Sequence, residues 1–146
     1  MGKTIGTGGG KAFHLEMQVR DHELDQYGVV NNSVYNNYLE HARHEFLIQV
    51  GMDAAEVAAS GRSLALSKLT VHYRISLRSR DKFQIVVRIS EISGARVMFH
   101  QTILRDSDRA LMLEAWAEAV FLDDRGRPMR VAQEHREAFQ PYLEIT

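Results

Sequence analysis

The stretch that decides the fold is residues 33–50, which reads SVYNNYLEHARHEFLIQV. Apolar side chains recur in it every four residues, and others widen this stripe along one side. They are Val34, Tyr38, Ala42, Phe46 and Val50, with Tyr35, Leu39 and Leu47 beside them. The spacing predicts an amphipathic helix capped by Asn32 or Ser33 and ended by Gly51. At 1.5 Å per residue the helix would be about 27 Å long, enough to cross a small sheet.

Alternating apolar and polar residues on both sides of this helix predict five strands. One precedes the helix, and the other four follow it. The predicted strands are residues 13–19, 69–75, 83–89, 95–105 and 111–122. A short alanine-rich helix over 53–60 and a closing helix over 134–143 complete the pattern. Strands joined by short turns form antiparallel sheets, and one long helix is available to cover this one. The sequence therefore predicts an α+β protein.

Composition restricts the classes to which the chain can belong. Its 146 residues contain no cysteine, and 18 basic side chains balance 19 acidic ones for a net charge of −1. These values exclude a disulfide framework and a thiol nucleophile, and they argue against a nucleic-acid-binding surface. No apolar run reaches the roughly 18 residues of a membrane span. We expect a single domain over 12–146 behind a flexible glycine-rich arm over 1–11, without a metal or cofactor.

Two further motifs are too incomplete to carry a function. Residues 61–65 approach the nucleophile elbow Gly-x-Ser-x-Gly, but that elbow needs a strand before the serine and a helix after it. The predicted order around Ser63 is the reverse. His41 and His44 lie three residues apart on the helix, whereas a zinc-protease motif would need a histidine where Ile48 stands. A solvated helix face explains both histidines.

An acidic loop directly before the long helix is the strongest candidate for chemistry. Asp21, Glu23 and Asp25 all precede the helix by a short stretch of chain. Unpaired amides and the positive end of the helix dipole gather there, so the helix start can hold an oxyanion. A carboxylate beside it can attack a carbonyl or activate water. Local sequence leaves open whether Asp25 does this or only stabilises the loop and the helix dipole.

A family resemblance covers most of the chain. Residues 19–32 read VRDHELDQYGVVNN, and Val34, Tyr35, Tyr38 and the segment 42–46 follow. These motifs resemble the hotdog-fold acyl thioesterases of the 4-hydroxybenzoyl-CoA thioesterase type. The branch with the most similar motif comprises acyl-acyl carrier protein (acyl-ACP) thioesterases related to plant methylketone synthase 2. The resemblance extends over about 12–143 and implies a hotdog fold, in which a five-stranded antiparallel sheet wraps a long central helix.

The resemblance also implies a catalytic arrangement. Asp25 matches the family's catalytic aspartate, which acts as nucleophile or as base for water. Backbone amides near Asn32 and Ser33 match the oxyanion donors. Some relatives carry a histidine or tyrosine at the position of Asn32. This chain therefore lacks a second titrating group there, and any role of the Asn32 side chain is limited to hydrogen bonding. Family sites lie between subunits, which implies a homodimer or homotetramer in which Ser67 and Lys68 of a neighbour approach Asp25.

Substrate contacts are expected from two further groups of residues. The acyl tunnel should run along the inner face of the helix, although each of its candidates is also explained as plain core. These candidates are Tyr35, Tyr38, Leu39 and Phe46. The phosphates of coenzyme A or of the phosphopantetheine arm need cations, although a solvated strand end explains each of these equally well. The cations are Arg78, Arg80, Lys82 and Arg96.

The expected function is hydrolysis of acyl thioesters to free carboxylic acids, on acyl carrier protein (ACP) by preference and on coenzyme A as a second carrier. The expected location is the cytoplasm, or the plastid stroma for a plant chain that has lost a transit peptide. Three alternatives stay open. They are an aryl- or polyketide-thioester hydrolase, a hotdog dehydratase and a non-catalytic acyl-binding module. The dehydratase would need His41 or His44 in the tunnel together with Glu40 or Glu45.

Overall fold

The computed structural model describes residues 4–5 and 9–145. Within them the helices and the five long strands follow one another in the predicted order, and the two-residue strand β1 was not predicted. The elements are β1 (Thr4–Ile5), β2 (Phe13–Gln18), α1 (Asn32–Gln49), α2 (Ala54–Ala59), β3 (Ser63–Tyr73), β4 (Lys82–Ser93), β5 (Arg96–Arg105), β6 (Leu111–Leu122) and α3 (Gln133–Phe139). Single 3-10 turns at Asp21–Glu23 and Gln140–Tyr142 lie before α1 and after α3. No helix in these ranges is long and apolar enough to cross a membrane.

The strands form one antiparallel sheet in the order β2-β4-β5-β6-β3. This is the predicted five-stranded sheet, and β3 is its edge strand on one side. The two-residue β1 pairs with Glu91 and Ile92 of β4, on the same side of β4 as β2. It lies in the segment predicted as an arm. The division into an arm over 1–11 and a domain over 12–146 stays a prediction.

The edge strand β3 is longer than predicted. It begins at Ser63, where that residue pairs with Leu122 of β6, rather than at Leu69. Its first half lies mostly exposed on both faces, so burial does not alternate along it. The bulge between Leu66 and Lys68 also shifts the register midway. Pairing with β6, not local pattern, defines this half of the strand.

Helix α1 packs its apolar stripe against β4 and β2. Phe46 is at the centre of this contact and is completely buried. Its ring lies 5.8 Å from that of Phe13, 6.0 Å from Phe99 and 4.9 Å from Tyr142. Burial of one such side chain is worth about 1.5–3 kcal/mol. The predicted stripe is therefore what attaches the helix to the sheet.

The ends of the helices differ from the predictions by a residue or more. Asn31 caps α1 by accepting the Ser33 amide at 3.0 Å, so the expected cap at Asn32 or Ser33 is wrong. The predicted left-handed residue after the helix is confirmed at Gly51, with φ of +79°. The closing helix breaks after Phe139 because Pro141 has no amide to continue its hydrogen bonds.

Candidate active site

Asp25 lies in a tight loop that leads into α1. A bridge between Leu24 and Val30 closes this loop, and the Asp25 amide donates to the Val29 carbonyl at 2.8 Å. Gly28 permits the reversal of the chain with φ of +76°. The half-buried Asp25 side chain uses one oxygen, Oδ1, to accept the amides of Tyr27 at 2.8 Å and Val29 at 3.4 Å. Its other oxygen, Oδ2, has no hydrogen bond among the described residues.

The loop is held by the segment at residues 77–78. The Val30 amide donates to the Leu77 carbonyl at 2.9 Å, and Val29 bridges to Arg78. The Leu77 amide in turn donates to the Tyr35 hydroxyl at 2.9 Å. Segment 77–78 therefore ties the Asp25 loop to α1.

Glu23 is a buried carboxylate that sequence reasoning underestimated. The residue is only 6% exposed. It accepts the Tyr38 hydroxyl at 2.7 Å and the Arg20 amide at 2.8 Å, and it lies 3.5 Å from the Arg20 guanidinium. Burial and the nearby Glu23 carboxylate raise the pKa of Tyr38, so its hydroxyl stays protonated and remains a donor. No pattern in the sequence separates this buried acid from its exposed neighbour Asp21.

The first turn of α1 has one amide that the loop leaves open. Asn31 Oδ1 accepts both the amide and the hydroxyl of Ser33, at 3.0 and 2.9 Å. The Asn32 amide takes part in no hydrogen bond among the described residues. Of the two expected oxyanion donors, Asn32 is therefore open and Ser33 is occupied.

Tyr35, Tyr38, Leu39 and Phe46 are all buried in the core. The two tyrosine hydroxyls are engaged by Leu77 and Glu23, as described above. The cavity described below is lined by other residues of α1. These four side chains hold the helix in place, and a role as tunnel walls stays a prediction.

The four candidate cations lie at two ends of the sheet. Arg78, Arg80 and Lys82 are exposed close to the Asp25 loop, which bridges to Arg78 itself. Arg96 lies at the other end of β4 and β5 and donates to Glu118 at 3.2 Å. Within a single chain, Arg78, Arg80 and Lys82 therefore lie near the Asp25 loop, whereas Arg96 does not.

Ser67 and Lys68 are exposed on the edge strand β3. Ser67 donates its hydroxyl to the Glu118 carboxylate at 2.8 Å, so it shares this partner with Arg96. Tyr73, at the end of β3, has a ring contact with Tyr35 at 5.7 Å. Ser67 precedes Tyr73 by six positions, which is roughly 20 Å of strand. The chain does not bring Ser67 or Lys68 to its own Asp25.

A cavity of about 270 Å³ lies between α1, α2 and β3. Glu40, Arg43 and His44 of α1 line it, together with Ser63 of β3 and apolar residues of the sheet. Both histidines of the helix are exposed, and His41 lies 3.9 Å from Glu45. Sequence reasoning missed this cavity, although one signal was present: Arg43 interrupts the apolar stripe four residues after Leu39.

No group of three or more potential metal ligands occurs among the residues that the structure describes. Charged side chains cluster elsewhere around His100, which contacts Glu114 at 2.7 Å and Glu144 at 2.8 Å. Its ring also stacks on Trp116 at 5.1 Å. This cluster lies on the sheet and the C-terminal segment, outside the Asp25 loop.

The chain is similar to two named plant thioesterases. It is 48% identical over 139 residues to the acyl-acyl carrier protein thioesterase ATL3, chloroplastic, of Arabidopsis thaliana, covering 92% of this chain and 73% of the relative. It is 45% identical to the corresponding ATL2 protein, covering 91% and 71%. The acyl-CoA thioesterase YbgC of Haemophilus influenzae is 25% identical, over 87% of this chain and 93% of that protein.

Solved structures share the architecture. The 1,4-dihydroxy-2-naphthoyl-CoA thioesterase Slr0204 from Synechocystis superimposes with a TM-score of 0.82 at 18% identity, over 88% of this chain and 96% of that one. At this identity the likeness concerns the fold alone. It confirms the hotdog arrangement, and residues 19–139 match the family described as the thioesterase-like superfamily. The chain therefore belongs to the thioesterase-like superfamily, as the motifs around Asp25 and α1 predicted.

Proposed function

We propose that this thioesterase hydrolyses acyl thioesters to free carboxylic acids, with ACP as the preferred carrier and coenzyme A as the second. The observation that carries the proposal is the Asp25 carboxylate, which is held by two amides in a loop that ends at the start of α1. The names of the two plant relatives and of YbgC support the substrate class.

In the proposed reaction, Asp25 and the helix start act on opposite sides of the thioester. Asp25 Oδ2 either attacks the carbonyl carbon or takes a proton from the attacking water. The oxyanion that forms accepts the Asn32 amide, which is open, and is favoured by the positive end of the helix dipole. When water is the nucleophile, collapse of the tetrahedral intermediate expels the thiolate, which takes up the proton that Asp25 had accepted, and leaves the acid. When Asp25 is the nucleophile, collapse leaves a mixed anhydride on Asp25, which water then hydrolyses to the acid and the free carboxylate. In both cases water and thioester are the only reactants.

The proposed active unit is a homodimer, or a homotetramer built from two such dimers. The edge strand β3 supports this proposal because its unpaired backbone groups can continue the sheet into a second copy. Leu66 and Tyr73 on this strand are each 49% exposed in the single chain, so a second copy could cover both. Ser67 and Lys68 of one copy would then approach Asp25 of the other.

Carrier binding is proposed at the exposed cations Arg78, Arg80 and Lys82. Acyl carrier proteins are acidic, and complementary charge speeds encounter and fixes orientation. Arg96 contributes only from a neighbouring copy, since in its own chain it lies at the far end of the sheet and is paired with Glu118. The proposed location is the plastid stroma if the source is a plant, because both plant relatives are named chloroplastic, and the cytoplasm otherwise.

Release of free thiol tests the proposal directly. Wild-type protein should release thiol from acyl-ACP and, more slowly, from acyl-CoA, as followed with a thiol reagent. The Asp25→Asn variant should lose most of this release while keeping its fold. Absence of thiol release by wild type on a panel of acyl, aryl and polyketide thioesters would overturn the proposal.

A hotdog dehydratase is the second candidate, and one observation favours it. Glu40 and His44 both line the cavity, where a carboxylate and an imidazole could exchange protons with a substrate. The two reactions differ in product, since dehydration converts a β-hydroxyacyl thioester to the enoyl thioester without thiol release. Formation of the enoyl product, abolished by His44→Gln but not by Asp25→Asn, would favour this candidate.

A further inference from the structure

The Tyr35 hydroxyl accepts the Leu77 amide at 2.9 Å, although the two residues lie 42 positions apart. Leu77 is completely buried and Tyr35 is 2% exposed, so water does not replace either partner. Burial raises the pKa of the Tyr35 hydroxyl above its ordinary value of 10.0, despite the opposing effect of the Leu77 amide, so the hydroxyl is neutral near pH 7. Loss of this neutral hydrogen bond would leave a buried amide unpaired.

Leu77 also holds the end of the Asp25 loop. Its carbonyl accepts the Val30 amide at 2.9 Å, and the next residue, Arg78, bridges to Val29. Val29 in turn contacts Asp25 with both of its backbone groups. The Val29 carbonyl accepts the Asp25 amide at 2.8 Å, and the Val29 amide donates to Asp25 Oδ1 at 3.4 Å. The position of Leu77 therefore sets the position of the Asp25 carboxylate.

Tyr35 belongs to the same helix turn as the open Asn32 amide. Asn32 is the first residue of α1, and Tyr35 follows it by three positions, which is about one turn. The Tyr35 hydroxyl thus joins the turn that carries the Asn32 amide to the segment that holds the Asp25 loop. In the proposed reaction these two groups act on opposite sides of the thioester, so a change in their separation would misplace one of them.

The chain that leads to Leu77 is tied to the sheet before it reaches the helix. Strand β3 ends at Tyr73, and the amides of Arg74 and Ile75 both donate to the Met112 carbonyl of β6, at 2.9 and 3.1 Å. These hydrogen bonds fix the start of the segment to β6 and make no contact with α1. The placement of Leu77 against the helix therefore depends on its own hydrogen bond to the tyrosine hydroxyl and on its buried side chain.

We propose that Tyr35 is a positioning residue, whose hydroxyl sets the separation between the Asp25 carboxylate and the Asn32 amide. The inference rests on the proposed thioesterase function and adds to it a residue that touches neither the thioester nor the attacking water. A wall of an acyl tunnel would instead contact the acyl chain, so the two roles predict different kinetics.

The test compares two buried tyrosines. Tyr35→Phe removes the hydroxyl and keeps the ring. The control is Tyr142→Phe, because Tyr142 is also buried but packs on Phe46 at 4.9 Å, about three turns of α1 away from Tyr35. Both variants and wild type are assayed with butyryl-, octanoyl- and dodecanoyl-pantetheine, which differ only in chain length. The folded fraction from circular dichroism corrects kcat for any loss of stability.

Tyr35→Phe should lower kcat by about tenfold or more, since misplacement of reacting groups by about 1 Å can cost 10²-fold. The factor should be the same for all three substrates, and KM should stay within about twofold of wild type. Tyr142→Phe should preserve kcat. An unchanged kcat per folded Tyr35→Phe molecule, or a change in KM that grows with chain length, would overturn the inference. Absence of thiol release by wild type would instead be a failure of the proposed function.

Amide hydrogen exchange tests the contact without an assay of activity. In wild type the Leu77 and Val30 amides should both be protected, because opening of the segment frees them together. In Tyr35→Phe both should exchange faster relative to the Phe99 amide in the centre of the sheet. If the Leu77 amide of wild type exchanged at the rate of an unfolded chain, the inference would be wrong even if Tyr35→Phe did not fold.

Discussion

The buried Glu23 carboxylate accepts a hydrogen bond from the Tyr38 hydroxyl at 2.7 Å, and this contact joins the turn before the Asp25 loop to the second turn of α1. The Glu23 carbonyl also accepts the Asn31 amide at 3.0 Å, so the same residue holds the helix cap. The geometry of the loop therefore depends on a residue that has no expected contact with substrate.

Removal of the Tyr38 hydroxyl should destabilise the fold. Tyr38→Phe leaves the Glu23 carboxylate buried with one donor fewer, and we expect a loss of about 1.5–3 kcal/mol in the free energy of unfolding. Urea denaturation measures this loss. Tyr73→Phe, on a ring that is half exposed, is the control and should change stability by less than about 0.5 kcal/mol. Equal effects of the two changes would contradict the importance of the contact.

Asp25→Asn should remove activity without unfolding the protein. The asparagine oxygen can still accept the Tyr27 amide, so the loop keeps its shape while the charge is lost. Turnover should fall by roughly 10²–10⁴-fold, the range for a positioned base. Asp21→Asn is the control, since the Asp21 side chain accepts only the Ser79 hydroxyl, at 3.1 Å, among the described residues. A loss below about tenfold, or ~1.4 kcal/mol of barrier, would exclude Asp25 as the catalytic group.

Charge reversal near the Asp25 loop should raise KM for substrates on ACP more than KM for substrates without the carrier protein. Arg78→Glu combined with Lys82→Glu should raise KM for acyl-ACP, because the acidic carrier loses its complementary surface, and the effect should weaken with salt. KM for a short acyl-pantetheine thioester should change little. The matched control is Arg125→Glu with Arg127→Glu, because both arginines are exposed in the turn that follows β6. A parallel rise for both substrates would argue against a docking role.

The protein should be at least dimeric in solution. Light scattering at micromolar concentration should give a mass of two or four chains, because β3 leaves its edge and the Leu66 and Tyr73 side chains uncovered. Leu66→Arg should shift the protein toward monomer and reduce turnover together. A stable monomer with full activity would rule out the shared site.

Acid should destabilise the protein partly through Glu114. The hydrogen bond from His100, with a smaller effect of Arg74, holds the pKa of Glu114 below its ordinary value of 4.5. A carboxyl whose pKa is lower in the folded state stabilises the fold above its unfolded pKa, and that contribution is lost as pH falls through the folded pKa. Unfolding free energies of wild type should therefore drop below about pH 4.5, by more than those of Glu114→Gln.

The control for this pH series is Glu16→Gln, on an exposed position of β2. It should leave the acid-induced loss of stability as large as in wild type. If Glu114→Gln and Glu16→Gln lost stability in parallel with wild type, the contact between His100 and Glu114 would not contribute to the stability of the fold.

The sequence by itself determined the elements whose signal is local. The four-residue repeat from Val34 to Val50 predicted α1 because a helix brings such positions to one face. Period-two alternation predicted three of the five long strands to within a residue at each end, since half-buried strands show it directly, but it ended β4 at residue 89 although the strand continues to Ser93. The motif around Asp25, together with α1, also predicted the family, because the residues of that loop follow one another directly in the sequence.

Tertiary structure alone decided which polar side chains are buried and which lie together. Glu23 and Asp21 have the same local character, but only Glu23 lies beneath Tyr38, and nothing within the loop distinguishes them. Arg43 meets Gln101 across 58 positions, from α1 to β5. The cavity that Arg43 lines exists only because α2 and β3 pack beside that part of the helix. Long-range packing selects such partners, so the loop and the helix were predictable, whereas the buried contacts that position them were not.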